Sequence, residues 1–248
     1  RISNMVARRA QKGADNWAAR YWHNNPFCTQ PKADKQTYLS LWRQAQSENF
    51  PEIDALEKET GFALDQNWMH NLALHTQVVI KSSAICYQHG RIVYSALRQY
   101  LAEHEDLSVN IVETGTARGF SATVMAKALV DAKQDGRIIT LDLLPHDQPL
   151  YWNCIDDLEG IKSRRELLAP WKDTTETRII FLEGDSRLTL NRLKMGRIHF
   201  AFLDGAHSYQ DVMAEINLIH RWQEAGDVIV FDDYNIVSYP GLVKAVKE

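Results

Sequence analysis

The pattern of apolar and polar positions changes character near residue 108. From Val109 onward, short β-branched and apolar runs alternate with longer stretches in which apolar residues recur every three or four positions. The runs Val109–Glu113, Arg137–Asp142, Arg178–Leu182, Ile198–Leu203 and Asp227–Phe231 read as strands. SATVMAKALVDA follows the first strand as a helix, and IDDLEGIKSRRELL is the helical candidate between the second and third. SRLTLNRL follows the third. SYQDVMAEINLIHRWQEAG follows the fourth, with Val212, Ile216 and Ile219 on one stripe. Strands alternating with helices predict an α/β, doubly wound, mainly parallel sheet with helices on both faces. Ligands of such sheets bind outside the carboxyl ends of the strands.

The preceding region has a different texture. Residues 1–107 are rich in Trp, Gln, Asn and His and hold few β-branched runs. Pro51 opens EIDALEKET and Gly61 closes it, a helix started by proline and ended by glycine. RIVYSALRQYLAEHE places Ile92, Val93, Ala96, Leu97, Tyr100 and Leu101 on one helical face. Asn24-Asn25-Pro26 and Gln30-Pro31 mark turns. The expectation is an N-terminal helical extension or cap, 1–107, before a sheet domain, 108–248.

Composition narrows the classes. The 248 residues are 45% hydrophobic and 24% charged, an ordinary globular balance. With 28 Lys+Arg against 32 Asp+Glu, the net charge of −4 and the lack of a basic stripe argue against a nucleic-acid partner. No apolar run approaches the ~20 residues that span a bilayer, so no membrane partner is expected. Cys28, Cys86 and Cys154 are dispersed, which disfavours a disulfide framework or zinc site and predicts buried or half-buried free thiols in a cytoplasmic protein. The visible N-terminus, RISNMVARRAQKGADNW, has no signal-peptide apolar stretch.

The chemistry gathers at the five strand ends. The first ends in Glu113-Thr-Gly115-Thr116-Ala117-Arg-Gly119-Phe-Ser121, where two glycines permit a sharp turn and Ser121 can cap the next helix. This spacing is GxxxG, not the GxGxxG of a pyrophosphate site, and Glu113 would repel a pyrophosphate. Asp142 ends the second strand, placed for a ribose diol or simply for a turn. Glu183-Gly-Asp185-Ser186 ends the third, either meeting an adenine edge or capping a helix, two roles that are compatible. The fourth ends in Asp204-Gly-Ala-His207 and the fifth in Asp232-Asp233. If these strands are neighbours, about 4.8 Å apart, three carboxylates converge. They either cap helices or hold a hard divalent cation such as Mg²⁺. His207, three residues past Asp204, is a candidate for proton transfer, though a lone histidine is more often a surface or capping residue.

Taken in order, ETGTARGFSA, LDLL, EGDS, FLDGAHSY and VFDDYN resemble the class I S-adenosylmethionine-dependent methyltransferases. The likeness is nearest to the metal-dependent small-molecule O-methyltransferases of the catechol, macrocin-type sugar and cephalosporin-biosynthesis-type branches, and it spans Val109 to Glu248. It implies a Rossmann-like fold and, as cofactors, S-adenosyl-L-methionine and Mg²⁺ or another divalent cation. By the same resemblance, Glu113, Gly115, Thr116, Ala117, Gly119 and Ser121 surround the methionine and ribose parts of the cofactor. Asp142 holds the ribose, and Asp185 and Ser186 lie near adenine. Asp204, Asp232 and Asp233 coordinate the metal. His207 stands where the catechol enzyme has a lysine base, which with Asp204 makes the catalytic pair. The DGxHxY pattern favours a sugar or alcohol hydroxyl as acceptor. The N-terminal helices would cover the acceptor or build a homo-oligomer contact, with Trp68, His70 and His89-Gly90-Arg91 as candidate acceptor contacts.

Two rivals differ from this reading. One is an NAD(P)-dependent oxidoreductase on a similar sheet, opposed by the GxxxG turn and the acid cluster. The other is a non-catalytic cofactor-binding scaffold, opposed by the presence of all three acids and His207. The resemblance also implies a seven-stranded sheet. YPGLVKAVKE would be the helix before a C-terminal strand hairpin, so the expectation is a chain trimmed by that hairpin.

Overall fold

The β-branched runs pair as expected from their alternation. The computed structural model describes residues 26–105 and 107–248. Asn24 and Asn25 of the first predicted turn, and the part of the predicted extension before Pro26, lie outside the described residues. The strands are β1 (Val109–Thr114), β2 (Gly136–Asp142), β3 (Ile179–Glu183), β4 (Phe200–Leu203) and β5 (Val228–Phe231). They form one parallel sheet of order β3-β2-β1-β4-β5. The order reverses beside β1, which opens a crevice between the β1 and β4 carboxyl ends.

Among the described residues, the longer helices are α1 (Lys35–Gln46), α2 (Pro51–Thr60), α3 (Gln66–Thr76), α4 (His89–Glu103), α5 (Phe120–Ala132), α6 (Ser186–Arg192), α7 (Tyr209–His220) and α8 (Pro240–Lys247). Strand alternation sorts the core into two faces. Val109, Ile111, Ile138, Phe200 and Phe202 pack with residues of α1, α3, α4 and α5 in one cluster. Val112, Leu141, Ala201 and Leu203 point the other way, toward Leu190 of α6 and Ile219 of α7. The helices before β1 therefore share a continuous core with the sheet. None of the described helices is long and apolar enough to cross a membrane.

Several local expectations shift. Gly61 ends α2 in the left-handed region, φ 77°, as its position implies. The buried face of α4 is turned relative to the predicted stripe: Tyr94 is inside, while Ile92 and Ala96 are only half-buried. The stretch IDDLEGIKSRRELL is not one helix. It breaks into a 3₁₀ turn, Ile155–Glu159, and one helical turn, Arg164–Leu167, separated by Gly160 and a bridge between Leu150 and Lys162. The break has a cause in the sequence. Gly160 sits at φ 110°, and Ser163 and Glu166 form a capping box that restarts the chain. Of the three free cysteines, Cys154 is buried, Cys28 half-buried and Cys86 exposed, so the thiol expectation fails at Cys86.

Candidate active site at the strand ends

The turn after β1 is held by steric necessity. Gly115 lies at φ 88°, and a Cβ there would come within 2.2 Å of the Asp204 carbonyl oxygen. Only glycine lets the β1 and β4 ends approach so closely. Ala117 also takes a positive φ, 44°, unusual for a residue with a Cβ. Two contacts hold it there: its N–H donates to Asp142 Oδ2 at 2.6 Å, and its carbonyl accepts from Arg164 Nε at 2.8 Å. The Leu144 N–H donates to the other Asp142 oxygen at 2.8 Å, so the carboxylate orientation is fixed.

Beneath this turn lies Glu113, fully buried. Burial pushes its pKa up to about 7, while hydrogen bonds from the Ser121 and Thr140 hydroxyls pull the other way. Thr116 and Thr140 hydroxyls meet at 2.5 Å and extend the network. Gly119, not Ser121, is the N-cap of α5, because the Ser121 hydroxyl is turned inward to Glu113.

A cavity of about 420 Å³ opens over the ends of β1 to β4. Gly115, Ala117, Asp142, Asp185, Ser186 and Asp204 line it, with Leu143 and Leu144 on one wall. Glu113, Thr116, Gly119 and Ser121 are not in its lining and support it from behind. Asp185 caps α6 through the Arg187 and Leu188 N–H groups and pairs with Arg187 at 2.9 Å. The Ser186 hydroxyl donates to Glu215 at 2.5 Å. A second cavity of about 460 Å³, bordered by His146, Arg165, Lys172 and Phe181, touches none of the strand-end acids.

At the other end of the sheet, β4 and β5 are neighbours, and their acids converge. Ligand atoms of Asp204, His207 and Asp233 lie within 4.8 Å of one another. Asp232 is not in that group, although it follows β5 directly. Asp233 takes φ 55°. His207 Nε2 lies 3.0 Å from Asp233 Oδ2, yet the approach makes no hydrogen bond, and this buried nitrogen has no other partner among the described residues. The imidazole is fixed by stacking on Tyr239, centroids 4.2 Å apart. Burial, then the charges of Asp232 and Asp233, raises the Asp204 pKa well above the usual carboxylate range. Three oxygen and nitrogen donors around one point, one of them an orphaned nitrogen, fit a divalent cation.

Three contributors lie outside the motifs. Phe27 lines the cavity from the segment before α1, with the Arg118 guanidinium 4.1 Å from its ring centroid. No local signal marks it. Buried Arg164 braces Ala117, and its Ser-Arg-Arg-Glu setting carries a capping-box signature. Buried Glu215 accepts from Ser186 and from Thr114 at 3.3 Å, and burial raises its pKa. Its one sequence signal is an acid on the Val212–Ile216–Ile219 stripe, which the motifs do not include.

Residues 112–234 match the family described as "Methyltransferase domain". Over these residues the chain is similar to a methyltransferase domain. Over 132 residues, the chain is 30% identical to the rhamnosyl O-methyltransferases of Mycobacterium tuberculosis (strain H37Rv) and Mycobacterium bovis (strain AF2122/97), covering 53% of this chain. It spans about half the length of these curated relatives, 48%. The fold of the methyltransferase domain and its helices resembles cofactor-bound Rv0187 from MTB, with TM-score 0.52, 20% identity and coverage of 81% of this chain and 85% of that one. It also resembles the O-methyltransferase NovP, with TM-score 0.50, 18% identity and coverage of 68% and 73%.

Proposed function

We propose that this protein is an S-adenosylmethionine-dependent O-methyltransferase that acts on a sugar-type hydroxyl with the help of a divalent cation. The observation that carries the reading is the pairing of two features across one crevice. The cavity over β1 to β4 is lined by acids, and the Asp204–His207–Asp233 cluster stands at its edge. Carboxylates in the lining oppose a pyrophosphate and suit a cationic sulfonium. The volume suits a small-molecule cofactor. The rhamnosyl O-methyltransferase relatives support the sugar class of acceptor.

S-adenosylmethionine would supply a methyl group on positively charged sulfur. Asp142, locked by two backbone N–H groups, would accept the ribose hydroxyls. The Gly115–Gly119 turn would fix the direction of the methionine part, since in-line transfer gains most from positioning. Asp204, His207 and Asp233 would hold the cation, whose chemistry is to lower the pKa of a nearby hydroxyl. His207 Nε2 faces that same point, so it serves either as a ligand or as the atom that takes the hydroxyl proton. His207→Asn separates the two roles: lost cation affinity marks a ligand, and lost turnover at unchanged affinity marks the base. The helices before β1 are assigned as a cap on the acceptor side.

The test is methyl transfer from S-adenosylmethionine to p-nitrophenyl α-L-rhamnopyranoside, with Mg²⁺ and with EDTA. Cation-dependent product, lost in Asp204→Asn with cofactor affinity retained, is the expected result. Full activity in EDTA would remove the metal from the reading. No binding of S-adenosylhomocysteine would overturn it.

A further inference from the structure

The sequence offers three polar candidates for acceptor contact in the helical segment, and the structure separates them. His70 is spent internally, its Nδ1 2.9 Å from the Tyr87 hydroxyl. Arg91 is buried and held by Glu57 at 2.9 and 2.5 Å and by Asp54 at 2.5 Å. His89 is different. It opens α4, and its ring makes no hydrogen bond to any described residue. Its place is nonetheless well defined. The ring lies parallel to Phe202, 7° between planes with centroids 6.3 Å apart, and edge-on to Phe120 at 5.1 Å.

Two backbone facts put it there. Phe202 stands on β4, two residues before Asp204, which follows the end of the strand. Gly90 lets α4 press on Phe120, because a Cβ there would come within 2.7 Å of that ring. The imidazole is thereby carried from the helical segment toward the end of β4, within electrostatic reach of the Asp232 and Asp233 carboxylates. Burial holds its pKa below the usual histidine range against those charges. A neutral imidazole offers one donor and one acceptor, which a hydroxyl can answer with both its proton and its lone pair.

We infer that His89 is a residue that positions the acceptor: its imidazole binds a hydroxyl of a polyhydroxylated acceptor beside the Asp204–His207–Asp233 cluster. This rests on the methyltransferase reading above and adds a specificity contact from outside the methyltransferase motifs. A site built to hydrogen-bond a hydroxyl discriminates strongly against an acceptor that lacks it.

The experiment compares wild type, His89→Ala and His89→Asn with p-nitrophenyl α-L-rhamnopyranoside as acceptor. It records acceptor KM and kcat, S-adenosylhomocysteine affinity, Mn²⁺ stoichiometry and Tm. In His89→Ala, acceptor KM should rise at least tenfold, with cofactor affinity and Mn²⁺ stoichiometry unchanged. His89→Asn, which keeps a donor and an acceptor near Nδ1, should recover part of that loss, and it serves as the test if the alanine variant folds poorly. Acceptor KM and kcat within twofold of wild type in both variants would overturn the inference and leave the methyltransferase reading intact. A parallel loss of Tm and cofactor affinity, without a selective change in acceptor KM, would assign His89 to packing and overturn it too. A wild-type protein that binds S-adenosylhomocysteine but leaves the rhamnoside unmethylated overturns the sugar reading and this inference together.

Discussion

The two halves of the sheet edge treat their acids in opposite ways. Beside β1 and β2, Glu113 accepts from two hydroxyls, and Asp142 accepts from two backbone N–H groups. These carboxylates are parts of a scaffold that is complete within the chain. Beside β4 and β5, Asp204 is half-buried among other acids, and His207 Nε2, 3.0 Å from Asp233 Oδ2, has no hydrogen-bond partner among the described residues. Buried polar groups are nearly always satisfied, so an imidazole nitrogen without a hydrogen bond among crowded acids fits the proposed cation site. The first half is pre-organised for shape, and the second stores an electrostatic demand. Catalysis by positioning needs both: a rigid frame for one reactant and a charged point for the other.

Gly115→Ala is the strongest way to break this division, because the two halves touch at that residue. The added Cβ would meet the Asp204 carbonyl oxygen at 2.2 Å, and φ 88° is unfavourable for alanine. The variant is expected to lose about 3 kcal/mol or more of stability. Urea unfolding checks this, and cofactor and cation affinity should fall together. Wild-type stability would mean that the strand ends are looser than the packing indicates.

Glu113→Gln sharpens the contrast by pH. Burial raises the folded-state pKa from 4.5 to about 7, so the folded protein binds this proton more tightly than the unfolded chain. The group then stabilises the fold fully below about pH 4.5, and that contribution is lost as pH rises through about 7. The expected span is on the order of 3 kcal/mol. Unfolding measured from about pH 5 to pH 8 should show a downward slope in wild type that is flattened in Glu113→Gln.

Asp142→Asn has the smallest expected effect and addresses one half alone. Loss of the charged acceptor should weaken S-adenosylhomocysteine binding about tenfold to a hundredfold. Mn²⁺ affinity should stay within twofold, because that cluster belongs to β4 and β5. Equal losses of both affinities in calorimetry would show that the two halves act as one unit.

Much of this arrangement was legible in the chain. Each predicted strand falls within two residues of its observed limits, because β-branched runs bounded by glycines and acids leave little choice of boundary. The approach of Asp204 to the acids after β5 was legible, since strand ends in a parallel sheet must share one edge. The exchange of Asp232 for His207 in the tight cluster was not, because it depends on the left-handed turn at Asp233. The chain between β2 and β3 departs from its pattern: its apolar spacing looks helical, but Gly160 and the Ser163 cap divide it. The inward turn of Ser121 was hidden for a similar reason, since a cap and a buried donor have the same residue type. Phe27 reaches the crevice, and His89 reaches Phe202 of β4, only through tertiary packing, which local periodicity does not encode.

The most direct measurement is a Mn²⁺ titration of the purified protein, followed by electron paramagnetic resonance, with wild type and Asp204→Asn side by side. The account predicts one ion bound per chain in wild type. It predicts at least about a hundredfold weaker binding in the variant, since even the outer partners of metal ligands are worth ten- to a hundredfold in affinity. Absence of Mn²⁺ binding at millimolar concentration in a folded wild-type protein, or equal binding by the two proteins, would contradict the proposal that the Asp204–His207–Asp233 cluster is a cation site.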